Sequence, residues 1–190
     1  MSKNRIAGNK KLGYAYVDFK GRRVTTKAII LATKFVLKHT SIKKSKAKKL
    51  RACFNYLWRH YPYKRVYGLP TAKTLSEKYA GFMLKNKKGN CFCYGAAFAC
   101  VAKVIGYKSR MGSGLIAAAD GGMTVHGWTE VKMGGKWYMC DPDMQREIPG
   151  INMYLRTRNN YPYRLSCNTH YRLKIKKAKL LWKKQKRGGT

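Results

Sequence analysis

The sequence predicts an α+β fold, with helices first and an antiparallel sheet after them. Three observations point to it. Between residues 27 and 105 the apolar side chains recur at helical spacing. The stretch Cys91–Ile105 is apolar nearly all the way round, as a central, buried helix should be. From Tyr107 onward the pattern changes to short alternating runs broken by glycine pairs, which indicates antiparallel strands.

Taken in order, GYAYVDFKGRRVTT reads as a short hairpin with a Lys-Gly turn. Thr25 or Thr26 then caps a helix through KAIILATKFVLKHT, whose apolar side holds Ile29, Ile30, Phe35, Val36 and Leu37. A second helix spans SIKKSKAKKLRACFNYLWRHY and stops at Pro62. After the loop YKRVYGLPTAKT, the run LSEKYAGFMLKNKK forms a third. Asn90 caps the fourth helix, which begins at Cys91 and ends at Gly106. Strands follow at YKSRMGSGLIAAA, VHGWTEVKM and KWYMCDP, with Gly134–Gly135 as a hairpin turn, and HYRLKIKK is the last. Residues 1–45 are expected to form an N-terminal extension packed on a core of residues 46–190.

The chain has 190 residues, enough for one domain with a proper core. No apolar run approaches the roughly 18–20 residues that span a bilayer. The 42 Lys and Arg against 7 Asp and Glu give a formal charge of +35, a surface that attracts polyanions. Lysine dominates over arginine, which suits a generic cationic coat better than a sequence-specific reader of nucleic acid. Five of the seven acids, Asp120, Glu130, Asp141, Asp143 and Glu147, fall in one stretch. Six cysteines occur with no CxxC pair, so neither a zinc ribbon nor a thioredoxin motif is indicated.

The chemistry centres on KKGNCFCYGAAF. A cysteine at the first position of a helix has its sulfur near unpaired N–H groups and the positive end of the dipole, both of which favour thiolate. Cys93 lies about 200° further round the helix and is assigned to packing. Of the four histidines, His39 and His60 end basic helices, where solvated surface positions are expected, and His170 lies in the basic tail. His126 sits inside a strand, where it needs a hydrogen-bond partner. With a two-residue turn at Gly134–Gly135, Met133 pairs with Lys136 and Asp141 becomes a diagonal neighbour of His126 on the same face. Cys91, His126 and Asp141 then form a nucleophile, a base and an orienting acid suited to acyl transfer. Cys140 points to the other strand face. A zinc site from Cys91, Cys93, Cys140 and His126 is geometrically awkward, and no metal or cofactor is expected. Glu130 and Asp143 are expected in solvent or beside lysines.

In order, Gly89–Cys91, Gly106–Arg110, His126–Trp128 and Gly135–Pro142 resemble the core motifs of the transglutaminase-like superfamily, over roughly residues 50–143. The resemblance implies a papain-like architecture in which the Cys-bearing helix packs on the sheet that carries His and Asp. It assigns the nucleophile to Cys91, the base to His126 and the third member to Asp141, and suggests that Trp128 lines an acyl-substrate channel. Cys93 and Gly95 depart from the family, which is more often polar and alanine there. The backbone N–H of Cys91 is the one candidate oxyanion donor.

The expected function is thiol acyl transfer on amide bonds of a protein or peptide: glutamine-to-amine transfer or hydrolysis. The rival is a non-catalytic cationic module for an anionic cell-wall polymer or nucleic acid, which the charge favours and the motifs do not. A monomer is expected. The opening GYAYVDFKGRRVT resembles the end of aromatic, glycine-bearing repeats in bacterial surface proteins, and no apolar signal segment is present. A secreted or cell-surface bacterial setting follows as an expectation.

Overall fold

The computed structural model describes residues 14–18, 27–41, 43–172 and 178–182. The proposed second strand of the N-terminal hairpin, its helix-capping threonines and most of HYRLKIKK lie outside them. The architecture is α+β. Its elements are β1 (Tyr14–Asp18), α1 (Lys27–His39), α2 (Lys46–His60), a π-helical turn (Leu75–Gly81), α3 (Phe82–Asn86) and α4 (Cys91–Ile105). Then come β2 (Lys108–Ala117), β3 (Met123–Met133), β4 (Lys136–Cys140), α5 (Pro142–Glu147), β5 (Tyr154–Arg156), β6 (Leu165–Tyr171) and β7 (Ala178–Trp182).

Five strands form one antiparallel sheet in the order β5-β4-β3-β2-β6, and β1 pairs antiparallel with β7 in a separate ribbon. The central helix α4 lies against β2 and β3 and is flanked by α1, α2, the π-helical turn and α5. Every α4 residue except Lys103 is buried. Large side chains such as Phe98, Phe54 and Leu57 fill the space between the helices; each contributes about 1.5–3 kcal/mol through burial. The α1 residues Ala28, Ile29, Ala32 and Val36 join the same core. Among the described residues, no helix is long and apolar enough to cross a membrane.

Several elements differ from the sequence expectation. Helix α2 starts at Lys46, not near Ser41, because the Ser45 hydroxyl accepts the Lys48 N–H at 3.3 Å and fixes the first turn there. The third helix is a π-helical turn that passes into α3 and ends at a left-handed Lys87 (φ 57°). The segment after Asp141, unassigned from sequence, supplies α5 and the edge strand β5.

Helix and sheet meet unusually closely at two glycines. A Cβ on Gly95 would lie 3.1 Å from the Trp128 backbone, and one on Gly127 would lie 2.6 Å from the Phe92 ring. The Thr129 hydroxyl donates to the Gly95 carbonyl at 2.7 Å across this contact. The departure at Gly95 therefore has a packing reason: β3 runs against the helix backbone itself, and the start of α4 comes to lie beside the middle of β3.

Candidate active site

The chain entering α4 is clamped on both sides. Gly89 pairs with Tyr63 in a parallel bridge, with the Lys64 N–H donating to the Gly89 carbonyl at 2.9 Å. Asn90 caps the helix by accepting the Cys93 N–H at 3.1 Å, and its amide donates to the Val66 carbonyl at 2.9 Å. The Tyr94 hydroxyl donates to the Tyr61 carbonyl. Cys91 follows as the first helical residue. Asn90 takes up the N–H groups of Cys93 and Tyr94. Those of Cys91 and Phe92 belong to the first turn, which has no intrahelical acceptors.

Cys91 retains 7% exposure, whereas Cys53, Cys93, Cys100 and Cys140 have 0%. Burial pushes each of those four thiols up to about 12. Cys93 and Cys140 are packed cysteines, as their helical and strand positions require.

The β3–β4 hairpin has the expected register. Gly134 and Gly135 turn with φ of 53° and 81°, and the ladder runs from Met133↔Lys136 to Thr129↔Cys140. Asp141 leaves the strand and caps α5, its Oδ1 accepting the Met144 N–H at 3.1 Å. Its Oδ2 lies 2.7 Å from His126 Nε2 and accepts the Tyr161 hydroxyl at 2.7 Å. The Asp141 N–H donates to the Met153 carbonyl at 2.9 Å. A carboxylate held by so many donors favours the His126 tautomer with its proton on Nε2, and a ring nitrogen of His126 lies within 4.8 Å of the Cys91 sulfur.

Burial of the imidazole opposes its protonation, but the adjacent Asp141 carboxylate outweighs this and the Cys91 sulfur adds to it. The His126 pKa is therefore raised well above the ordinary value. Burial and Asp141 also drive the Tyr161 phenol far upward, so it remains a donor. Sequence reasoning missed Tyr161, which lies twenty residues beyond Asp141 with no motif to mark it.

Trp128 does not front the solvent. Its indole is 1% exposed, stacks near His126 with ring centroids 6.3 Å apart, and donates to Glu130 Oε1 at 3.1 Å. Glu130 in turn accepts from Arg110 Nε at 2.6 Å and lies 3.0 Å from His170 Nε2. Burial raises the Glu130 pKa, but these donors more than reverse it, leaving the carboxyl lowered. The expectation of a solvated Glu130 is corrected, because both faces of β3 are covered. His170 belongs to this network and not to a free tail, and His39 is half-buried, stacked on Tyr56 with centroids 3.5 Å apart.

Asp143 is likewise buried and not solvated, because α5 turns it inward against the start of α4. One of its oxygens comes within 4.8 Å of both Cys91 Sγ and a His126 ring nitrogen. Burial pushes its carboxyl up to about 7; His126 opposes the shift, and Asp141 and Glu147 add to it. Its Oδ1 has no hydrogen-bond partner among the described residues.

No protein of curated function matches the sequence significantly. Several solved structures are similar, two of them as follows. One is described as a TGase, 20% identical with a TM-score of 0.44, and the match covers 70% of this chain and 35% of that one. The other, from Cytophaga hutchinsonii and provisionally named a cysteine protease, is 14% identical with a TM-score of 0.49, covering 88% and 58%. The chain thus spans about a third and somewhat over half of their lengths. The family profile of the Transglutaminase-like superfamily matches residues 33–142, more than half of the chain, from within α1 to Pro142. That span includes Cys91, His126 and Asp141, and the chain belongs to the Transglutaminase-like superfamily.

Proposed function

We propose that the protein is a thiol acyl-transfer enzyme acting on amide groups of a protein or peptide. The observation that carries this reading is the 2.7 Å His126–Asp141 hydrogen bond beside Cys91, the least buried of the five cysteines described. In the first step His126 Nδ1 takes the thiol proton and the sulfur attacks the amide carbon. The oxygen of the tetrahedral intermediate is held by the free N–H groups of the first α4 turn, those of Cys91 and Phe92. His126 returns the proton to the departing nitrogen, and a thioester remains. Water or an amine then attacks this thioester and gives its proton to His126; the carbon–sulfur bond breaks, the acid or new amide departs, and the proton returns to the sulfur. Asp141 stabilises the imidazolium in both halves, and Tyr161 keeps Asp141 in place. Trp128 shields His126 from water, which strengthens the ion pair beneath it.

A mass-resolved assay with a glutamine-containing peptide, with and without an added primary amine, tests the reaction. Transfer gives the amine adduct with loss of ammonia, hydrolysis gives the acid or cleaved peptide, and neither product appears with Cys91→Ala. An unchanged peptide under all conditions overturns the proposal. The charge of +35 favours the second reading, a cationic module for an anionic polymer. It requires polyanion affinity that falls steeply with salt and is indifferent to Cys91.

A further inference from the structure

Asp143 has no role in the acyl-transfer scheme. Asp141 already occupies His126 Nε2, and an Asp143 oxygen lies within 4.8 Å of both a His126 ring nitrogen and the Cys91 sulfur. A carboxylate oxygen that is buried without a hydrogen-bond partner is costly, and such groups are rare unless something else completes them. Asp143 Oδ1 is one, in a residue only 6% exposed.

The groups beside this carboxyl suggest what completes it. Cys91 Sγ, a His126 nitrogen and an Asp143 oxygen all lie within 4.8 Å of one another. Tetrahedral zinc, with bonds of about 2.0–2.3 Å, needs donor atoms about 3.3–3.5 Å apart. Binding therefore requires side-chain rotations that bring the three donors together. Thiolate, imidazole and carboxylate together suit zinc and its neighbours, whereas calcium and magnesium require oxygen sets. The outer shell is in place as well. His126 passes its remaining ring N–H to Asp141, as metal-bound histidines do, and Asp141 is itself held by Tyr161 and the Met144 N–H. The overall charge of +35 opposes cations at long range. Beyond about 8–10 Å salt screens that repulsion, and at the site the local charge comes from Asp141 and Asp143.

We propose that Cys91, His126 and Asp143 bind one zinc ion, with a fourth position left open, and that the bound ion holds the thiol in reserve. On binding, the Cys91 S–H and the His126 imidazolium each give a proton to solvent as the zinc–sulfur and zinc–nitrogen bonds form. An acyl group and the ion compete for the same sulfur. The reserve function rests on Cys91 being the nucleophile, but the ion site does not.

Cobalt(II) titrated into the full chain under reducing conditions tests the site. The expected result is one equivalent bound, with a thiolate-to-cobalt charge-transfer band and the intense visible bands of four-coordinate cobalt, both erased by zinc. Cys91→Ser removes the charge-transfer band, and Asp143→Asn weakens binding at least about tenfold. Cys93→Ala retains the band. Near-ultraviolet circular dichroism shows that each variant is folded. Separately, zinc slows alkylation of Cys91 by iodoacetamide in the parent chain. Cobalt binding unaltered in folded Cys91→Ser or Asp143→Asn overturns the site. Normal alkylation at saturating zinc overturns the reserve function. A cobalt-binding chain that is inactive when metal-free contradicts the acyl-transfer reading alone.

Discussion

Asp141 is the residue on which the site geometry turns, because one side chain caps α5, orients His126 and accepts from Tyr161. Asp141→Asn replaces a carboxylate oxygen with a donor or a weaker acceptor and disturbs the His126 tautomer. We expect kcat to fall by about 10²–10⁴-fold. Tyr161→Phe should cost less, about tenfold or below, because it removes a support and leaves the carboxylate. Steady-state kinetics on both variants check the order, and equal losses would contradict it. His39 supplies a pH prediction. Burial and the nearby Lys38 lower its pKa to about 4. The unfolded chain takes up that proton near pH 6.5 and the folded chain only near 4. Stability is therefore full above about pH 6.5 and falls as pH drops toward 4. His39 is only half-buried, so the loss should be about 1 kcal/mol after screening by solvent. His39→Gln should flatten that part of the denaturation profile measured between pH 7 and 4.5.

At the scale of elements, the close approach of α4 and β3 sets the distance from Cys91 to His126. Gly127→Ala would press a methyl group into the Phe92 ring and force helix and strand apart. Overpacking of this kind costs about 1–3 kcal/mol. It should lower the urea midpoint and slow Cys91 alkylation together; a loss of stability with unchanged alkylation would contradict the geometric link. The elements most legible in the sequence follow local rules. The start of α4 was fixed by Asn90 and its end by Gly106, and the hairpin register followed from a two-residue glycine turn. That register alone sets Asp141 beside His126. Helix α5 and β5 were not legible. Helix α5 is only six residues long, and β5 is a three-residue edge strand that includes a left-handed Leu155 (φ 55°). Tyr161 reaches Asp141 through that irregular return, a tertiary contact without a sequence period. The burial of Asp143 and Glu130 is illegible in the sequence for a related reason. In so basic a chain an acid suggests a solvated counter-charge, and only packing shows it buried.

For the whole molecule, charge and fold have separate consequences. The family core occupies the interior, and the +35 charge says nothing about its chemistry. Raising salt should weaken encounter with acidic substrates, and so raise KM, while leaving kcat on a small neutral amide unchanged. The central claim is that Cys91 is a nucleophile activated by His126 and Asp141. Site-resolved alkylation of the metal-free chain with iodoacetamide tests it most directly. Cys91 should react far faster than Cys53, Cys93, Cys100 and Cys140, and the excess should collapse in His126→Ala. Uniform slow labelling of these cysteines, or a Cys91 rate indifferent to His126, would contradict it.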